Sequence, residues 1–302
     1  RPKIKKFILK KLTKHMSNDS KLFAETVFAS PAAVTGSVII IIFLIMSVVG
    51  LFNYPYDPFK MDLKNLYAFP SPDHLFGTDE LGRDIFSRVL AGAPISLQVI
   101  LLVTAIALSI GTVLGLIAGW YGGYIDEIIM RVTDIFLAIP PFILALGLSA
   151  GLGASITSVM IAISITQWPI FARIIRSEAL TIREKPYVEA ARASGVSDYK
   201  IMTRHILPNS LAPLVVTATL NMGSVLMTAA GLSFLGFGAQ VPSPEWGRMI
   251  ATAYEYIRSS PTYPLLPGVV ITIVVLGFNL LGDGLRDALD PRIRRTQQSD
   301  NE

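Results

Sequence analysis

Histidine and carboxylate side chains are the groups in this sequence that could carry acid–base or metal chemistry, and they are widely scattered. The three histidines, His15, His74 and His205, lie on different segments of the 302-residue chain. His74 is nearest to carboxylates, those of Asp79 and Asp84, but the spacing is not that of a metal site. The chain has no cysteine and no G-x-x-x-x-G-K-[ST] phosphate loop, which excludes thiolate ligands, disulfides and that mode of nucleotide binding. We therefore predict no catalytic site and no metal site.

A polar insert is more informative than any of these groups. It runs from Tyr187 to Pro208 and reads Y-V-E-A-A-R-A-S-G-V-S-D-Y-K-I-M-T-R-H-I-L-P. Pro186 suits the first position of a helix, and Glu189 then lies in the first turn, where the helix dipole favours a negative charge. Gly195 is placed to end this helix. The insert therefore predicts a short helix, a turn and a second short helix.

The first predicted helix carries small residues on one face. Tyr187, Ala190, Ala191 and Ser194 follow one another at helical spacing, so another protein surface could approach the backbone closely. A short helix seated in a partner's groove is a common mode of recognition. The alternative is a solvated loop in which the alanines are accidental.

The second predicted helix leads back into an apolar stretch. Ser197 or Asp198 can cap it, and its apolar members are expected to be Tyr199, Met202 and Ile206. Two capped helices favour a docking element over a disordered loop, which would be rich in Gly and Ser.

Long stretches without a charged residue predict that the chain crosses a membrane several times. Hydrophobic residues make up 52% of the sequence and charged residues 16%, against roughly 25% charged residues in soluble domains. Asp, Glu, Lys and Arg are absent from residues 89–125, 135–172, 205–244 and 259–282. Each stretch exceeds the roughly 20 residues that a helix needs to cross a bilayer. The predicted fold class is an all-α polytopic membrane protein.

Six spans are predicted within a membrane domain of residues 32–290. They are residues 32–52, 97–119, 130–149, 156–175, 211–235 and 265–285. Residues 53–94 should form a loop outside the bilayer, and residues 147–155 a tight hairpin. Pro140 and Pro141 should kink the third span, and Asp134 is expected to pair with Arg131 at i, i+3.

The distribution of Lys and Arg predicts the orientation of the spans. With the N-terminus inside, inside segments carry 20 of these residues and outside segments carry 6. The positive-inside rule then places both termini and the loop 177–210 in the cytoplasm. The basic segment 1–31 is either a solvated tail or a helix on an anionic leaflet, and residues 291–302 form a cytoplasmic tail.

The insert also resembles a known family motif. Glu189-Ala190-Ala191, then Gly195, then His205-Ile206-Leu207-Pro208 is similar to the EAA loop of ABC importer permeases. Phe76–Asp84, Gly236–Gly247 and Asn279–Arg292 resemble signatures of the dipeptide, oligopeptide and nickel branch. The similarity is to the second permease subunit of that branch, and it covers roughly residues 32–292.

This resemblance implies a type I ABC importer permease fold in a prokaryotic plasma membrane. It implies a second related permease, two ATP-binding subunits, an extracellular or periplasmic substrate-binding protein and no nucleic acid. ATP and Mg would be bound by the partner subunits, so this chain has no cofactor and is not itself an enzyme. The resemblance assigns coupling to the ATP-binding subunits to Tyr187, Glu189, Ala190, Ala191, Arg192, Gly195, His205, Leu207 and Pro208.

Polar and aromatic residues elsewhere are candidates for the pathway and for docking. Polar side chains in spans are costly in lipid, so they either line the pathway or bond between helices. The pathway candidates are Gln167, Trp168, Asn221, Ser224 and Asn279. The docking candidates for the binding protein are Trp246, Tyr254 and Tyr256, which otherwise belong to an interfacial aromatic belt.

The substrate and two rival classes stay open at this point. Peptides are favoured as cargo, and nickel or metal chelates and oligosaccharides are the alternatives within the branch. An ion-coupled secondary transporter predicts carboxylates at span centres and internal repeats. A membrane-embedded enzyme predicts a catalytic cluster at membrane depth, which the scattered histidines do not supply.

Overall fold

Long apolar helices form the body of the computed structural model, which describes residues 30–289. Within that range the secondary structure is helical, apart from one isolated bridge between Thr78 and Asp84. The α-helices are α1 (Pro31–Phe52), α2 (Ile85–Tyr121), α3 (Gly123–Ala138), α4 (Pro141–Leu152), α5 (Ile156–Arg183), α6 (Pro186–Ala193), α7 (Asp198–Ile201), α8 (Leu207–Asn209), α9 (Leu211–Phe234), α10 (Trp246–Ala253) and α11 (Thr262–Leu289). Residues 1–29 of the predicted basic segment and the tail from residue 290 lie outside the described residues.

Five helices are long and apolar enough to cross a membrane: α1, α2, α5, α9 and α11. The count rises to the predicted six when α3 and α4 are taken together as one broken span, bent by 91°. The bend lies at the predicted proline pair, because Pro140 is extended and Pro141 begins the next helix. The predicted tight hairpin of residues 147–155 is wrong, since α4 continues to Leu152 and the turn is only residues 153–155.

Helix α2 begins 12 residues before the predicted start of the second span at residue 97. The Asp84 carboxylate caps it by accepting the Ser87 N–H at 2.7 Å. The proline at position 94, which suggested the end of a loop, lies inside the helix. A proline there leaves the Leu90 carbonyl without its helical partner, and Gly50 of α1 packs so closely on that carbonyl that a Cβ would collide with it.

Helices α2 and α5 pack at short range along a row of glycines. A Cβ on Gly111 or Gly115 would lie 2.5 Å from a backbone oxygen of α5, and a Cβ on Gly119 would lie 2.5 Å from the Ala179 Cβ. Small residues at such spacing let helix backbones approach and gain van der Waals contact in a membrane, where water does not drive association. The α2–α5 pair is therefore a close-packed unit on which other elements rest.

Ion pairs attach the short helix α3 to α5. Asp126 accepts two bonds from the Arg176 guanidinium, at 2.5 and 2.6 Å. Asp134 pairs with Arg173 at 2.5 Å, and Arg131 instead pairs with Glu127 at 3.3 Å. The predicted Asp134–Arg131 pair is therefore wrong. Spacing within α3 shows only local partners, whereas the packing of α3 against α5 brings a guanidinium within reach.

A substitution at Gly115 tests the α2–α5 contact. Gly115→Leu should destabilise the protein by roughly 1–3 kcal/mol or more, because the new side chain overlaps the Ala172 oxygen and Ile175. The measurement is the midpoint of thermal unfolding in detergent. Gly147→Leu is the matched control, since a Cβ at Gly147 meets no described atom within 4 Å. Equal losses in the two variants would contradict this account of the packing.

Candidate functional site

Helix α6 lies on the body of the protein through one side and presents its other side outward. Val188 is only 1% exposed and belongs to an apolar core with Trp120 of α2 and Ile182 of α5. The remaining side chains of α6 are exposed or half-buried, and half-buried Ala191 packs against the same core. The exposed ones include Tyr187, Glu189, Ala190, Arg192 and Ala193. Helix α6 is thus held against the body of the protein on one side, and small residues lie on its outer side.

The end of α6 has the geometry predicted for Gly195. Ser194 is the C-cap, and Gly195 has a φ of +78°, a conformation that favours glycine. Its N–H bonds to the Arg192 oxygen at 3.0 Å, and the Val196 N–H bonds to the Ala191 oxygen at 3.1 Å. This pair of bonds is a Schellman motif, which satisfies the Ala191 and Arg192 carbonyls at the helix end.

An aromatic contact that the sequence did not reveal ties α6 to α2. The Arg192 guanidinium lies 5.0 Å from the ring centroid of Trp120, which is buried at the end of α2. This distance is that of a cation–π interaction. Arg183, at the end of α5, also donates to the Gly119 oxygen at 3.1 Å. The only sequence signals for the Arg192–Trp120 contact are a basic residue in the insert and a Trp at the end of a span.

A π-helical turn joins the insert to α9. It covers Met202–Ile206 and is followed by α8. Ile201 and Ile206 are fully buried, whereas Tyr199 is 74% exposed. Tyr199, predicted as one of the apolar members of this helix, therefore lies outside the buried set, because the π turn spaces the buried residues five apart instead of three or four. Such turns occur frequently at functional sites.

Short-range contacts continue beyond the turn. The Ser210 hydroxyl donates to the Ile206 oxygen at 3.0 Å, and Ser210 itself is buried. The ring of His205 lies 6.0 Å from that of Tyr187, so the end of the insert touches its beginning. Leu207 and Pro208 lie in α8, between the π turn and α9.

The pathway candidates do not form one group. Asn221 of α9 donates its amide to the Gln167 oxygen of α5 at 3.0 Å, and both are buried. Trp168 is also buried and packs on Phe136 at 5.5 Å. These residues therefore hold helices together, as the interhelical interpretation predicts. The other two candidates, Ser224 and Asn279, are exposed on the surface of this chain.

The aromatic docking candidates also differ in their exposure. Trp246 is 0% exposed and its indole N–H donates to the Val89 oxygen at 2.9 Å, so this residue is part of the core and is not available to a partner. Tyr254 is 65% exposed, and Tyr256 is half-buried against Tyr67, with ring centroids 4.9 Å apart. The sequence could not distinguish these roles, since all three are aromatic residues in one polar loop.

A buried ion cluster fixes the loop before α2. The Asp79 carboxylate lies 2.7 Å from Arg83 Nε and 3.3 Å from Arg88 Nε. Burial raises the pKa of Asp79, and the neighbouring Arg83 guanidinium acts in the opposite direction. His74 bonds instead to Asp84 at 3.0 Å. Among residues 30–289, no group of three or more His, Cys, Asp or Glu side chains could hold a metal ion.

Comparison with known proteins places these features in a family. Residues 111–295 match the family profile described as binding-protein-dependent transport system inner membrane component. Residues 21–70 match the N-terminal transmembrane domain of oligopeptide transport permease C. The first match covers more than half of the chain and contains the insert. The chain belongs to this family of transport permeases.

Several curated permeases are similar over most of their length. The dipeptide transport system permease protein of Alkalihalophilus pseudofirmus is 46% identical over 87% of this chain and 86% of its own. The probable D,D-dipeptide transport system permease protein of Escherichia coli K12 is 46% identical over 87% and 88%. A glutathione transport system permease protein of Escherichia coli O6:K15:H31 is 44% identical over 87% of each chain.

Solved structures share the fold of this permease. Two crystal forms of the inward-facing MetNI methionine ABC transporter align with TM-scores of 0.52 and 0.53. The identities are 21% and 22%, and the alignments cover 69% and 70% of this chain and 95% and 97% of the other. At this identity the similarity concerns the fold alone.

The permease carries a buried carboxyl group at the start of α10. Glu245 is 3% exposed and accepts the N–H groups of Gly247 and Arg248 at 3.1 and 2.8 Å. Burial raises the pKa of Glu245 above its usual value near 4.5, against the lowering effect of these bonds. The residue caps α10 and holds Trp246 at the start of that helix.

Loss of the Arg192–Trp120 contact should loosen α6. Arg192→Met removes the charge, and a cation–π contact at an exposed position contributes about 0.5–1 kcal/mol. Amide exchange of residues 186–193 should therefore rise by roughly two- to five-fold, as hydrogen-exchange mass spectrometry would measure. Arg192→Lys keeps the cation and should restore most of the protection. An unchanged exchange rate in Arg192→Met would exclude the contact as an anchor.

The raised pKa of Glu245 predicts a pH dependence of stability. A carboxyl group whose pKa is higher in the folded state stabilises the fold below its unfolded pKa, and this contribution is lost as pH rises through the folded pKa. As pH rises above the usual carboxyl pKa near 4.5, thermal stability should therefore fall more in the wild type than in Glu245→Gln. Glu255→Gln, at an exposed carboxyl nearby, should keep the wild-type slope. Identical slopes in all three proteins would count against the assignment.

Proposed function

We propose that this permease is the membrane subunit of an ATP-driven importer of short peptides. The observation that carries the proposal is helix α6, a capped and anchored helix whose small outer residues are free to enter a partner's groove. Family membership supplies the class of transporter, and the names of relatives supply the cargo. Two of those relatives are named for dipeptides and one for glutathione, which is a tripeptide.

The proposed setting is the plasma membrane of a prokaryote. Both chain ends and the insert lie in the cytoplasm in this proposal, and the excess of Lys and Arg on the segments of that side supports it. A second, related permease completes the pathway. Two partner subunits bind ATP and Mg, and a binding protein outside the cytoplasm delivers the peptide.

Coupling follows from the contacts of α6. A cleft of the ATP-binding subunit holds the exposed face of α6, with Glu189 available for a basic residue there. When ATP closes the two partner subunits, α6 moves with its cleft. Val188 and the Arg192–Trp120 contact pass the motion to α2 and α5. The buried Ile206–Ser210 link passes it to α9.

The remaining exposed candidates have assigned roles in this proposal. Ser224 and Asn279 are polar and exposed on α9 and α11, so they face the pathway or the second permease. Tyr254 offers an exposed ring to the binding protein. Gln167, Trp168 and Asn221 serve the pathway indirectly, by fixing α5 against α9 and α3.

Charge reversal on α6 tests the coupling role. Glu189→Lys should lower peptide uptake by at least about ten-fold in reconstituted vesicles, because like charges across an interface cost several kcal/mol. ATP hydrolysis should persist without uptake. Glu189→Gln is the matched control and should keep more activity. Normal uptake by Glu189→Lys would remove this residue from the coupling surface.

A bulky group at Gly195 tests how closely the partner approaches. A Cβ there meets no atom within 4 Å in the described part of the chain, so Gly195→Trp has room in the free subunit. The positive φ adds strain, which Gly195→Asn tolerates because Asn adopts this conformation more readily. We expect uptake to be lost in the Trp variant and largely kept in the Asn variant. Equal activity in both would contradict close docking at this turn.

The cargo is tested through the cognate binding protein. Its bound ligands, released and identified by mass spectrometry, should be di- or tripeptides. A metal chelate or an oligosaccharide would overturn the peptide assignment while leaving the importer class in place. Failure of the chain to co-purify with ATP-binding subunits would overturn the importer class and favour an ion-coupled transporter.

A further inference from the structure

A cavity of about 590 Å³ opens at the end of the bundle that carries the insert. It lies between the last turns of α5 and α11 and the first turns of α9. Glu178 is five residues from the end of α5, and Arg286 is three residues from the end of α11, so they lie about 8 Å and about 5 Å from those ends. The volume falls within the roughly 300–1,000 Å³ range of small-ligand sites.

The lining of this cavity combines one acid, one base, the hydroxyl residues Ser177 and Thr217, and a majority of apolar residues. Glu178 and Arg286 supply the charges, and apolar residues such as Ile174, Val216 and Leu220 supply the walls. Neither charged side chain has an ion-pair partner among residues 30–289, whereas the charges of α3 and those of Arg173 and Arg176, on the preceding turns of α5, are paired. Arg286 is exposed and Glu178 is half-buried, so both charges are accessible to a ligand in the cavity.

An unpaired carboxylate and an unpaired guanidinium in one cavity match a small zwitterion. The carboxylate of Glu178 can accept hydrogen bonds from an ammonium group. The guanidinium of Arg286 can donate two parallel bonds to a carboxylate. The apolar walls then suit the side chains of one or two amino acids. We propose that this cavity is an exit site that binds a short peptide by its free amino and carboxyl termini, an inference that rests on the proposed function.

A zwitterionic lipid headgroup shares part of this chemistry. An ethanolamine headgroup carries an ammonium and a phosphate, and it could reach the same two side chains from the membrane. A peptide is favoured because apolar residues predominate in the cavity lining, whereas a headgroup is polar throughout its length. Labelling of a cavity residue in vesicles with and without phosphatidylethanolamine separates the two sources.

Because the sequence contains no cysteine, a single introduced cysteine would be the only thiol of this subunit and can report on the cavity. Ser177 is exposed and lines the cavity, so Ser177→Cys can be labelled with a maleimide in the assembled complex, with the subunit resolved on a gel. Alanyl-alanine should slow this labelling. Thr181→Cys lies one turn further along α5, exposed but outside the cavity lining, and its labelling should not change.

Blocked peptides test each charge separately. The half-protecting concentration should be lowest for alanyl-alanine and roughly ten-fold or more higher for its N-acetyl and its C-amide forms, because each lacks one charge-assisted bond. In Glu178→Gln, alanyl-alanine should become no better than the N-acetyl form. In Arg286→Gln, it should become no better than the amide. Protection that remains in each variant shows that the protein is folded.

Matched controls remove neighbouring charges that do not line the cavity. Glu184→Gln and Asp287→Asn lie at the ends of the same two helices and are exposed. Both should keep the wild-type preference for free termini. If either control abolishes the preference as strongly as Glu178→Gln does, a general field of charge would explain the data and the site would be rejected.

Three further results would overturn the proposal. The first is an absence of protection by alanyl-alanine, and the second is equal protection by the free and blocked peptides. The third is a labelling rate of Ser177→Cys that changes when phosphatidylethanolamine is added to phosphatidylglycerol vesicles but does not change with peptide. This result would identify a lipid headgroup as the occupant. Uptake of labelled dipeptide by the same vesicles distinguishes the two levels of failure. Uptake without protection rejects only this cavity, whereas no uptake of any peptide rejects the proposed function.

Discussion

The apolar core that α6 shares with α2 and α5 is the contact on which the other features of the insert depend. A helix of eight residues is too short to be stable alone in water. Val188 inserts into a core that already contains Trp120 and Ile182, and the Schellman turn at Gly195 satisfies the backbone at the helix end. Because these interactions lie on the inner side, the outer side is left with small and charged residues. A docking helix needs this division between an anchored side and a free side.

Helix α2 connects this core to the opposite end of the protein. Its 37 residues extend over about 55 Å. At its first turns, Arg88 contacts the buried Asp79, and the Val89 oxygen accepts the Trp246 indole N–H. At its last turn, Trp120 contacts Arg192. One long helix therefore contacts the loop before it, the short helix α10 and the insert, and the glycine row packs it against α5.

Much of the architecture follows from local patterns in the sequence. The apolar stretches predicted the membrane helices, the proline pair predicted the bend between α3 and α4, and Gly195 predicted the end of α6. The sequence predictions are wrong where packing or an irregular helical turn overrides a local sequence pattern. The sequence predicts that Pro94 ends a loop, but it lies inside α2, where Gly50 packs against the carbonyl that this proline leaves free. The sequence predicts Tyr199 as an apolar member of the second short helix, but the π-helical turn at Met202–Ile206 shifts the buried positions to Ile201 and Ile206.

The sequence by itself determined that the chain is a helical membrane protein with a capped insert, and resemblance of that insert to a known motif indicated its family. These conclusions depend on hydrophobicity, helix caps and spacing, which are properties of neighbouring residues. Only the tertiary structure decided which side chains meet across helices: Arg192 with Trp120, Asp134 with Arg173, and Trp246 with the Val89 carbonyl. Each partner lies at least 39 residues away along the chain, and its identity depends on how close the helices pack. The same reason explains why Trp246 is buried while Tyr254, eight residues further on, is exposed.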